Sequence, residues 1–177
     1  MGVPVEFNSR ETLKKSPVTD VTGYGTYDMP EGCWSDDTSL TIATMDAIIK
    51  NSGIINDTTY NSIGDNFVSY YLYDSFTPTD MMFDIGNTTR NAILKYSTGT
   101  LPAPQCGGTL PTNAGNGALM RILPIAYYAH QNNLSDQETL KIVSNVASIT
   151  HGLTTCTLGS YIYTVFAKEL LEGASKE

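Results

Sequence analysis

The sequence predicts an all-α protein, a compact set of packed helices joined by long loops. Two observations carry that prediction and a third bounds it. Apolar residues recur at spacings of three and four through most of the chain, while the period-two alternation of strands is hardly seen. Gly and Pro are scattered between the periodic stretches and are not collected into a linker. With 177 residues, 41% of them hydrophobic and 16% charged, the chain is expected to form one globular domain over residues 1–177.

Taken in order, residues 1–34 are irregular, with Gly23, Gly25, Pro30 and Gly32 as turn punctuation in a long loop. Helical spacing then places Leu40, Ala43, Ala47 and Ile48 on one face, with Ser35 at the N-cap and Gly53 as the stop. A helix over about 58–73 follows, burying Ile63, Phe67, Tyr70 and Tyr71. In DIGNTTRNAILKY, Thr88 or Thr89 caps a short helix that buries Ala92, Ile93 and Tyr96. Residues 98–117 are another loop, and GALMRILPIAYYAHQ reads as a buried helix kinked or restarted at Pro124. Ser135 and Glu138 make an S-x-x-E capping box for the next helix, which Gly152 closes. The last helix covers roughly 157–172 and ends at Gly173, with Glu169, Glu172 and Glu177 as its exposed acidic tail.

The net charge of −8 offers no attraction to nucleic acid or to an anionic membrane. Any phosphate must therefore be held by local geometry. Cys33, Cys106 and Cys156 are too far apart for a zinc or redox pair, which suits reduced thiols. The N-terminus lacks a signal-peptide pattern and no apolar run has the length of a membrane span, so a cytoplasmic location is expected.

Five places carry unusual residues. In GCWSDDTSLTIATMDAIIK, Ser35, Asp36 and Asp37 head an apolar helix. They read either as a cap with first-turn acids that favour the helix dipole, or as hard oxygen ligands for a divalent cation. Asp84 follows an apolar trio and precedes Gly86 and Asn87; it starts an Asx-turn or serves as a tuned acid or base. Gly115, Asn116 and Gly117 expose backbone N–H groups at a helix start, with Arg121 four residues beyond, and form a plain glycine loop or an anion cradle. His151 precedes Gly152 at a helix end, the usual setting of a C-terminal cap. Glu6 stands among Val3, Pro4, Val5 and Phe7, turned either to solvent or into a pocket.

In order, GVPVEF, TGYGTYDMPEGCWSDDTSLT, DIGNTT, GNGALMRILPIA and THG resemble the ADP-ribosylglycohydrolase family, which includes the dinitrogenase reductase-activating glycohydrolases and the ADP-ribosyl-acceptor hydrolases. The resemblance runs from about Gly2 to Gly152. It implies an all-α fold, Mg2+ (or Mn2+) as cofactor, and cleavage of the glycosidic bond joining ADP-ribose to a protein side chain or small acceptor. By the same resemblance, Ser35, Asp36 and Asp37 hold metal, and Glu6 and Asp84 are catalytic. Asn87, Gly115, Asn116, Gly117, Met120, Arg121 and His151 bind substrate.

The pattern is shortened at both ends. A helix leading into a G-D-A-L-G-like segment has no counterpart, nor has the family's second metal motif, a D-x-D-T-like cluster, because no Asp follows Asp136. Three readings follow: a compact Mg2+-dependent ADP-ribosyl hydrolase, a non-catalytic ADP-ribose or nucleotide binder that inhibits or sequesters, and one half of a split hydrolase whose metal site a second polypeptide completes.

Overall fold

The computed structural model describes residues 2–175; Glu177, grouped above with the acidic tail, lies outside them. Seven α-helices are found among the described residues and no strand. They are α1 (Arg10–Lys15), α2 (Asp36–Lys50), α3 (Asp57–Tyr73), α4 (Asn87–Ser97), α5 (Leu123–Gln131), α6 (Asp136–Ser148) and α7 (Thr154–Leu171). α2 packs on α3, α3 on α4, and α7 lies against both α5 and α6.

Local chemistry accounts for most of these boundaries. Asn56 caps α3, its side chain accepting from the Thr59 N–H at 3.1 Å. The predicted box at α6 is present: the Ser135 N–H donates to Glu138 Oε2 at 2.9 Å, and the Glu138 N–H donates to Ser135 Oγ at 3.3 Å. The buried stretch around Pro124 is a restart and not a kink. A 3-10 turn, Leu119–Arg121, precedes α5, and Pro124 stands in the first turn of α5, where its missing N–H is not needed.

Three expectations shift. The irregular N-terminal stretch contains α1, capped by Ser9, whose side chain accepts from the Thr12 N–H at 3.1 Å. Neither Thr88 nor Thr89 caps α4; Gly86 occupies that position and both threonines lie in the first turn. Ser35 stands at the N-cap of α2 but makes no capping bond, because its hydroxyl donates to Asp37 Oδ2 at 3.1 Å.

The core joins Leu40, Ala43 and Ala47 of α2 to Ile63, Phe67 and Tyr70 of α3, Ile93 of α4, and Val143 and Val146 of α6. Polar ties fix the register of this packing. Asn66 Nδ2 donates to the Ala43 carbonyl at 2.8 Å, and Tyr96 Oη donates to Asp65 Oδ1 at 2.9 Å. The outer side of α7 leaves Leu158, Ile162, Phe166 and Leu170 outside the core. No described helix is long and apolar enough to cross a membrane.

Candidate active site

Glu6, Asp36, Asp37, Asp84, Asn87, Gly115, Asn116, Gly117, Met120 and His151 line one cavity of about 440 Å3. It collects residues from five separate stretches of chain: the N-terminal turn, the head of α2, the entry to α4, the loop before α5, and the connection between α6 and α7. Two expected members lie elsewhere. Ser35 lines a neighbouring cavity and reaches this one only through its bond to Asp37. Arg121 is fully buried in the core, against the expectation that it serves the glycine loop from the substrate side.

The physical reason lies in the turn that carries Arg121. Gly117 lies in a turn and Arg121 ends the short 3-10 segment Leu119–Arg121, so no α-helix spans the two and the facing of residues four apart does not apply. The guanidinium instead donates from Nη2 to the Val146 carbonyl at 3.1 Å and to Thr150 Oγ1 at 2.7 Å. Its carbon stands 4.7 Å from the centre of the Phe67 ring, a cation–π contact. Nε and Nη1 have no hydrogen-bond partner, and burial lowers the group's pKa to about 9, which leaves it charged at neutral pH.

Arg121 acts on the site through its neighbours. Thr150 Oγ1, which receives the Arg121 bond, also bonds His151 Nδ1 at 3.0 Å. Burial, then the nearby Arg121 charge, lowers the His151 pKa to about 4, so the ring is neutral at pH 7. This ring supports the glycine loop. A Cβ at Gly117 would stand 2.6 Å from His151 Cε1 and 2.8 Å from Thr89 Oγ1, so only glycine fits there. The residues around His151 also bridge to the preceding loop, with Gly152 N–H donating to the Gly108 carbonyl at 2.9 Å.

On the opposite side stand the acids. Burial, then Asp84, then Asp37 raise the Asp36 pKa to about 7, although backbone N–H groups of Gly86 and Asp37 oppose the shift. Burial and the Glu6 charge push Asp84 upward as well, with hydrogen bonding to Tyr27 acting the other way. Tyr70 Oη donates to the Asp84 backbone carbonyl, which fixes the chain at this point.

Tyr27 is the participant that sequence reading missed. Burial first, then hydrogen bonding to Glu6 and Asp84, holds its phenol well above the ordinary range, so it remains a donor between two carboxyl groups. Its ring rests 5.2 Å from that of Phe83 and 6.5 Å from that of Phe7. The signal was local but cryptic. Gly25, at φ +70°, has no room for a side chain because a Cβ would meet the Pro4 carbonyl oxygen at 2.0 Å. That close approach, with Thr26 Oγ1 donating to the Glu6 carbonyl at 2.7 Å, locks the turn of Tyr27 against the turn of Glu6.

The model of the ADP-ribosylglycohydrolase family matches residues 1–177. The chain belongs to that family. Among curated proteins it is 28% identical over 180 residues to an ADP-ribosylarginine hydrolase Tri1 of Serratia proteamaculans (strain 568), covering all of this chain and 45% of that relative. A second ADP-ribosylarginine hydrolase Tri1, of Pseudomonas putida (strain GB-1), is 28% identical over 181 residues, with 44% of its length covered. This family member thus spans less than half the length of the curated relatives it matches.

The acids of this cavity, Glu6, Asp36, Asp37 and Asp84, offer oxygen donors of the kind a hard cation takes, and no described Lys or Arg pairs with Asp36, Asp37 or Asp84. The convergence is limited, because no group of three or more His, Cys, Asp or Glu among the described residues is placed to hold a metal ion. Of the hard cations, Mg2+ makes the least demand on protein ligands, since it commonly keeps several waters and takes only one or two carboxylates.

Proposed function

We propose that this chain forms an Mg2+-dependent (or Mn2+-dependent) ADP-ribosyl hydrolase site acting on ADP-ribose linked to arginine. The observation that supports this reading most directly is the single cavity that joins Glu6, Asp36, Asp37 and Asp84 to the loop Gly115–Gly117. The arginine linkage follows the two relatives, both ADP-ribosylarginine hydrolases. Three free cysteines suit a reducing cytoplasm.

In this reading the backbone N–H groups of Gly115–Gly117 receive the diphosphate, which a chain of net charge −8 must bind by local donors. His151, neutral beneath the loop, keeps those donors in place without adding charge. Asp36 and Asp37 would hold the ion, with the Ser35 hydroxyl orienting Asp37. A bound Mg2+ supplies orientation of the ribose hydroxyls and a more acidic water. Asp84, with its raised pKa, would give a proton to the leaving guanidine nitrogen as its bond to the anomeric carbon breaks and regain one from the water that adds to that carbon, while Tyr27 positions it against Glu6. The acidic wall also stabilises positive charge developing on the sugar.

The test is release of free ADP-ribose from an ADP-ribosylated arginine peptide, followed by chromatography. Release should require Mg2+ or Mn2+ and should fall on the order of 10²-fold or more in Asp84→Asn. Turnover that survives EDTA would overturn the metal-dependent reading. A second reading, a binder without turnover, is favoured by the sparse metal ligands among the described residues. Saturable ADP-ribose binding with no release would select it, whereas release that appears only with an added second polypeptide would select the split hydrolase.

A further inference from the structure

Beside the candidate active site lies a second cavity, of about 710 Å3, that none of the steps above uses. Val3 and Val5 of the N-terminal turn form part of its wall, with Trp34 and Ser35 from the segment leading into α2. Glu6 and Asp37 line both cavities, so the two spaces meet at these carboxylates. The indole N–H of Trp34 donates to the Phe76 carbonyl at 3.4 Å, tying the ring to the loop after α3. The Ser35 hydroxyl orients the Asp37 carboxylate from the same side.

An indole that shares a cavity with a carboxylate complements a flat, delocalised cation. A guanidinium can lie against the indole while its N–H fork meets carboxylate oxygens, whereas a neutral group of the same shape gains neither attraction. The position is equally specific. A glycosidic bond to be cleaved lies between its two halves, so the subsites for those halves must adjoin at the reacting acids, as these cavities do.

We propose that the second cavity is the acceptor subsite, holding an arginine guanidinium between Trp34 and the carboxylate of Glu6. This rests on the hydrolase reading for its substrate, but guanidinium binding is separable from turnover. Discrimination against neutral acceptors such as serine then arises in this cavity, and not at the loop Gly115–Gly117.

Trp34 is the single tryptophan of the chain, so its intrinsic fluorescence reports on this cavity alone. Titration of the unaltered protein with methylguanidinium in Mg2+ buffer should change the emission saturably, and methylurea, its neutral isostere, should not. In Glu6→Gln the apparent affinity for methylguanidinium should fall about tenfold, roughly one charge-assisted hydrogen bond. Equal responses to both probes, a non-saturable response, or no response would overturn the proposal, and none of these needs a variant to fold. Methylguanidinium binding without ADP-ribose release would keep the subsite and remove the hydrolase reading. Release from arginine peptides without methylguanidinium binding would do the reverse.

Discussion

Burying Asp36 beside Asp84 and Asp37 costs free energy whenever its carboxyl is ionised. The residue is only 7% exposed, and its pKa of about 7 records the conflict. A metal ion between these acids would relieve it. In EDTA at pH 8, Asp36→Asn is therefore expected to stabilise the fold by about 1–3 kcal/mol, because the neutral amide avoids a buried charge. Added Mg2+ should raise the melting temperature of the parent and not of the variant. A variant that gains as much from Mg2+ as the parent would remove Asp36 from the ligand set. At this scale the sequence marked the acids that line the cavity but could not rank them, since their mutual repulsion depends on approach from distant segments.

Among the elements, the heads of α2 and α6 look alike in sequence, each beginning with Ser followed by acidic residues, yet they are held differently. Ser135 closes a reciprocal box with Glu138, while Ser35 turns its hydroxyl to Asp37. Ser135→Ala should cost about 1 kcal/mol, read as a lower denaturant midpoint at unchanged slope. Ser35→Ala should move that midpoint less, since no capping bond is lost. Helix existence and most boundaries were legible because spacing, caps and Pro124 act within a few residues. The 3-10 turn that carries Arg121 inward was not legible, because winding at the end of a loop is decided by what the side chain can reach.

For the whole molecule, the two sides of the cavity oppose one another in pH. His151 has its pKa lowered to about 4 in the folded chain, so the unfolded chain binds more protons between that value and the ordinary 6.5. Stability from this group therefore rises with pH across that window and is lost as pH falls through it. Asp36, raised from 3.8 to about 7, makes the folded chain the better proton binder, and its contribution falls as pH rises over that range. In metal-free buffer the terms offset each other where the windows overlap. Relative to the parent, Asp36→Asn should gain stability as pH rises from about 4 to 7, with a slope of at most about 1.4 kcal/mol per pH unit. Unfolding by denaturant across this range checks the sign; a difference that shrinks with rising pH would contradict it.

The sequence by itself determined the all-α class, the approximate helices and the family, because periodicity, capping and short motifs depend on near neighbours. It also held most of the residues that line the candidate site. Only the tertiary structure decided which of them meet. Glu6 reaches Asp84 through Tyr27 because Gly25 lets the turns of Glu6 and Tyr27 touch, and Gly117 lies on His151 because the Arg121–Thr150 bond holds that ring beneath it. Contacts between residues tens of positions apart depend on how packed helices return their loops to one place. No local pattern in the chain records that arrangement.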